Sequence, residues 1–205
     1  MSRSLVPSWI VPQFLADALV TACWALSVAV VLALPAFVNS PDPGDDRTRN
    51  TVRLALIYYG AAASLLPWLR GQDWLAHTGR GRVTCWLWTF AWLTYLVHVA
   101  TAFHYAHHWS HTEAVQNTEA VSGFGAGIYV SHFYTLAWTA DVAWWWLLPV
   151  HYARRPAAIG WCWHAFMVFV IFNATVVYED GPICWAGLAL LGWLLTVRLV
   201  AWIRP

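Results

Sequence analysis

The chain has 205 residues, of which 60% are apolar and 10% charged, and its formal net charge is +1. A mean hydropathy of +0.52 lies far from the balance of a soluble domain and points to an integral membrane protein. With so little net charge, and that scattered in short interruptions between apolar runs, no basic face remains for nucleic acid, and that class of partner is excluded.

The expected fold class is all-α: a polytopic transmembrane helical bundle formed by residues 1–205 as a single integral membrane domain. A bilayer core of about 30 Å needs roughly 20 helical residues, and the segments 14–38, 51–69, 83–103, 128–148, 157–177 and 183–203 meet that standard. The first is too long for a signal peptide, carries Asp17 and follows only Arg3, so it reads as a retained span. Pro41, Pro43 and Gly44 mark a loop over 39–50. The third apolar run meets no breaker before Gly123, which predicts a third helix extended beyond the membrane through residues 104–111. Gly123, Gly125 and Gly127 end it, Pro149 ends the fourth span, and Glu179-Asp180-Gly181-Pro182 turns the chain into the sixth.

Arginine placement sets the expected orientation, because cytoplasmic connections hold the excess of positive charge. Arg3, Arg70, Arg80, Arg82, Arg154, Arg155, Arg198 and Arg204 fall on one side; Arg47, Arg49 and Arg53 fall on the other, beside Asp42, Asp45 and Asp46. Both termini are therefore expected in the cytoplasm. Trp86, Trp88, Trp144, Trp145, Trp146, Trp161 and Trp163 then belong to an aromatic belt at the inner interface. Cys23, Cys85, Cys162 and Cys184 lack CxxC spacing and read as small core residues.

The chemically loaded stretch is His104-Tyr105-Ala106-His107-His108-Trp109-Ser110-His111. At about 100° per residue on a continuous helix, His104, His108 and His111 form one stripe, with His107 about 60° to its side. The topology brings His132 and Glu179 to the same end. Mixed nitrogen and oxygen donors suit iron, copper or zinc, so His104, His107, His108, His111, His132 and Glu179 are candidate metal ligands. The bland reading is a set of solvated imidazoles at a helix carboxyl end, where the dipole favours them. Haem b held by His98 or His104 with His132 is an alternative cofactor. Deeper in the bundle, Asp141 and His164 lie at matching depth and form a candidate buried polar pair, either a proton relay or an interhelical tie. His98 and Asn173 are candidates for a second tie, and His77 and His151 for solvated positions.

The motif His104-x-x-His107-His108 resembles one histidine box of the membrane fatty-acid desaturases and hydroxylases, which use three boxes to hold two irons; one box is present here. More broadly, residues 103–111, 127–130, 138–149, 151–152, 155–156 and 172–179 are similar to a family of bacterial multi-pass membrane proteins that carries no assigned activity. That resemblance implies a folded unit in the bacterial inner membrane and no particular reaction. The expectation is a multi-pass protein with a histidine-rich metal site at its periplasmic face, suited to redox chemistry. The alternatives are a b-type haem protein, a non-catalytic accessory subunit of a membrane complex, and a metal transporter. Expected partners are the lipid bilayer and either further copies of the chain or the subunits of a complex; whether it is an enzyme stays open.

Overall fold

A computed structural model describes residues 10–75 and 79–204. Arg3 and His77 lie outside them. The described residues are all-α: α1 Ile10–Phe37, α2 Pro43–Leu65, α3 Gly79–Tyr105, α4 His111–Ser122, α5 Gly127–Leu147, α6 Pro149–Ala153, α7 Ala157–Phe172 and α8 Pro182–Ile203. Single 3-10 turns occupy Leu66–Trp68 and Gly71–Leu75, and a π-helical turn, Asn173–Val177, extends α7.

Among the described residues, four stretches are long and apolar enough to cross a membrane: Gln13–Phe37, Gly71–Tyr105, Ala157–Val177 and Pro182–Ile203. The chain is a membrane protein with four candidate spans. Two of the six expected segments, in α2 and α5, are not in that set. Helix α2 opens on Asp45, Asp46, Arg47 and Arg49, whereas α5 carries His132, Asp141 and many polar-edged rings.

Two expectations about helix ends are corrected. Residues 43–50 are not loop but the first turns of α2, because Asp42 caps the helix by accepting from Asp45 N at 3.0 Å and Pro43 supplies a preset first residue. The third helix does not run on through the histidines. It stops at Tyr105, and His108 and Trp109 adopt positive φ of 47° and 59°. The break comes from Ser110, whose hydroxyl accepts from Glu113 N at 3.3 Å and starts α4. Ser-x-x-Glu is a capping-box signature. At the other end of α4 the expectation holds, with Gly123 in the left-handed region at φ 70°.

Polar side chains set the helix register, as they do where lipid supplies no hydrophobic drive between helices. Helices α3 and α5 run antiparallel along a ladder. Trp146 Nε1 donates to Thr89 (2.8 Å), Trp88 Nε1 to Asp141 (2.8 Å) and Trp92 Nε1 to Thr139 (3.0 Å), and the Tyr95 hydroxyl meets Thr135 at 2.9 Å. Helix α8 lies parallel to α2, with Trp193 Nε1 donating to Ser64 at 2.9 Å. Helix α1 is tied to α3 by Asp17, which takes Arg82 and Trp86, and by Trp24, which donates to Thr94 at 2.9 Å. Tyr59, Trp88, Tyr134, Trp138, Trp145 and Met167 anchor the core.

The aromatic-belt expectation is corrected for two of its members, whereas Trp161 is exposed as expected. Trp88 and Trp145 are each 1% exposed. They are core side chains because each indole N–H finds an acceptor inside the bundle, Asp141 and the Trp74 carbonyl respectively. The cysteines divide: Cys85 is buried, whereas Cys23 and Cys162 are exposed on outward faces.

Candidate functional site

One end of the bundle collects the carboxyl end of α3, all of α4, the start of α5, the π-turn and the start of α8. Here a cavity of about 330 Å³ opens. Its rim carries Arg49 and Arg53 from α2, His107 from the α3–α4 connection, His132 from α5, and Glu179. Its floor is aromatic: Tyr59, Tyr95, Tyr134 and Trp138 pack with ring centroids 5.1–6.3 Å apart.

The polar groups lining this space include both donors and acceptors. His98 Nδ1 lies 3.0 Å from the Thr48 carbonyl, so Nδ1 carries the proton and Nε2 remains for the cavity its ring lines. Trp138 is 2% exposed, and its Nε1 has no acceptor among the described residues. An indole N–H can only donate, and leaving it unpaired in a buried site costs on the order of 1–3 kcal/mol. Arg49 is held by Asp45 at 2.7 Å and lies 3.8 Å from Glu179. Arg53 is exposed and hydrogen-bonds only Asn50, at 3.1 Å; it has no carboxylate partner among the described residues.

The six candidate metal residues are divided rather than gathered. His107, His132 and Glu179 share the cavity rim, but His104, His108 and His111 do not line it. His104 accepts from its neighbour Trp109 at 3.3 Å, and His108 pairs with Glu113 at 2.9 Å on the exposed surface. His111 stacks on His132, with centroids 5.5 Å apart. Among the described residues, no group of three His, Cys, Asp or Glu side chains is placed to hold a metal ion. The expected stripe required a continuous helix, and the turn at residues 106–110 removes it.

His107 has a defined state. Asn117 Nδ2, which can only donate, lies 3.0 Å from His107 Nδ1, so the ring proton sits on Nε2. Burial lowers the affinity of this ring for a second proton, the nearby Glu113 working against that shift. Because the folded value is lowered, the native state is favoured above the ordinary imidazole value of about 6.5 and loses that contribution as pH falls through it. The His107 Hε1 resonance is therefore expected to titrate below about 6.5, and to move back upward in Asn117→Ala.

Asp141 and His164 do not form the expected pair. Asp141 takes Trp88 Nε1 at 2.8 Å and the Tyr152 hydroxyl at 3.2 Å, while His164 meets the ring of Trp88, edge-on at 5.7 Å. His98 and Asn173 do not meet either, since Asn173 donates to Phe169 O in its own helix at 2.8 Å. The exposed His151 fits the solvated position expected of it. Sequence reasoning placed none of Tyr59, Tyr134, Trp138, Arg49 and Arg53 in a site, Arg49 and Arg53 entering only through the orientation. The one available signal was Arg53 itself, an arginine within the apolar-periodic part of α2.

Compared with family models, curated proteins and solved structures, the chain matches none.

Proposed function

We propose that this protein is a membrane-embedded binding protein whose α2 and α5 also cross the bilayer, giving six spans. Its ligand is a small anionic, acceptor-bearing group held in the cavity at the histidine end. The observation that carries the reading is a cavity with an aromatic floor whose rim holds Arg53, a guanidinium without a carboxylate partner among the described residues. Such a guanidinium favours a ligand that brings negatively charged acceptors. Glu179 limits how far an anion enters on the Arg49 side and directs it toward Arg53. The arginine asymmetry supports a non-cytoplasmic position for this end of the bundle.

Isothermal titration of the purified chain with sn-glycerol 3-phosphate tests this reading. Saturable binding is expected, weakened about tenfold by Arg53→Gln, in keeping with the loss of one charge-assisted hydrogen bond. Binding that is absent, or untouched by Arg53→Gln, would sink it.

A further inference from the structure

A second hollow, of about 670 Å³, lies on the outside of the bundle between the parallel helices α2 and α8. It is lined by small and aliphatic side chains, including Ile57, Ala61, Ala186 and Leu190. The Trp193–Ser64 hydrogen bond lies at its far end. Small residues make it: Gly60 and Gly187 let α8 approach α2 and the π-turn without filling the space between them. The two hollows adjoin, since Arg53, Leu56, Thr175 and Ile183 line both. Arg53 stands where the apolar groove borders the cavity. From Arg53 to Ser64 the helix rises roughly 16 Å at 1.5 Å per residue, about half the thickness of a hydrocarbon core.

We propose that the groove and the cavity together bind one anionic phospholipid laterally from the bilayer, its phosphate at Arg53 in the cavity mouth and an acyl chain along the α2/α8 groove. This rests on the reading of the cavity as an anion site and names the molecule that reaches it. The groove faces the hydrocarbon, so its occupant is a chain already dissolved in the membrane, and no aqueous route is needed. Arg53 selects the head group: its guanidinium matches phosphate oxygens in a paired geometry, and its hydrogen bond to the neutral Asn50 leaves its charge uncompensated. A zwitterionic lipid carries its own cation to the same place and gains less.

The test is native mass spectrometry of the full chain in detergent, supplemented with phosphatidylglycerol or phosphatidylcholine of identical acyl composition. One phosphatidylglycerol per chain is expected to survive activation that strips phosphatidylcholine, with a preference of fivefold or more. Arg53→Gln should abolish the preference and Arg53→Lys should keep part of it. Ala186→Phe, at an exposed position in the groove, should release the lipid while sn-glycerol 3-phosphate still binds. Equal retention of the two lipids, or retention unchanged in Arg53→Gln and Ala186→Phe, overturns the proposal. If glycerol phosphate binding persists in that case, the cavity reading stands and the groove alone is lost. Failure of both measurements removes both.

Discussion

Replacing Asp141 with alanine is expected to destabilise the bundle by about 2–3 kcal/mol, because it strands two buried donors at once. Asp141 accepts from Trp88 Nε1 at 2.8 Å and from the Tyr152 hydroxyl at 3.2 Å. Trp88 is 1% and Tyr152 3% exposed, so water does not replace the lost acceptor. The damage extends further through Tyr152, which carries the Arg155 guanidinium 3.7 Å above its ring and stacks on Trp145 at 4.9 Å. The phenol is held firmly un-ionised: burial raises its pKa well above the ordinary value, and the Asp141 carboxylate adds to the effect. Asp141→Asn keeps one acceptor and should cost about half as much. Tyr152→Phe alone should cost about 1 kcal/mol. Thermal unfolding in detergent measures all three, and the double variant Asp141→Ala/Tyr152→Phe should be less destabilised than the sum, since both remove the same bond. A loss of under about 0.5 kcal/mol for Asp141→Ala would contradict the assignment of this residue as the tie between α3, α5 and α6.

The second large effect is expected at Gly187. A Cβ added there would lie 2.3 Å from Thr175 Oγ1 and 2.7 Å from Thr175 Cβ. The β-branched threonine is fixed by its own hydroxyl, which donates to Ile171 O at 2.8 Å, so it cannot swing aside cheaply. Gly187→Ala should therefore cost about 1–3 kcal/mol through overpacking, and Gly187→Leu more. Gly192 gives the control. An added Cβ there meets nothing within 4 Å, and Gly192→Ala should be neutral or stabilising by up to about 1 kcal/mol. Thr175→Gly in the Gly187→Ala background should restore part of the loss. If the two glycines respond alike, the close approach of α8 to the π-turn is not what the glycine is there for.

What the sequence made legible follows from which physical signal dominates. Apolar length alone located α1, α3, α7 and α8, because a hydrocarbon layer imposes one length on every span. Helix α5 was also found at 127–147 against an expected 128–148, its ends marked by glycine and proline. The start of α2 is hidden because Pro41, Pro43 and Gly44 read as turn formers, although Asp42-Pro43 is a strong helix start. The break at Ser110 is hidden because no glycine or proline marks it. Ser110-His111-Thr112-Glu113 carried a start signal inside what read as one helix, and the alignment of the four histidines depended on its being ignored. The candidate cavity was hardly legible at all. Tyr59, Tyr134 and Trp138 are ordinary aromatic residues in apolar helices, and only packing brings them together under one cavity. The Asp141–His164 expectation failed differently: the depth was right, as their shared contact with Trp88 shows, but depth does not specify azimuth around the helix.

Helix α1 stands apart in its attachments. Only 6% of its apolar window is buried, and its rungs described above, from Asp17 and Trp24, end on Arg82, Trp86 and Thr94. The ties of α1 come in two sets: Arg47 Nε donates to Leu32 O at 3.0 Å and the Ser27 and Tyr58 hydroxyls meet at 2.9 Å, both from α2, whereas Arg82, Trp86 and Thr94 are made some 65–70 residues after their partners. Asp17 therefore waits without its arginine until α3 arrives. Biogenesis then has two stages for this element, pairing with α2 and locking by α3, and a chain arrested before residue 82 would leave α1 held by α2 alone.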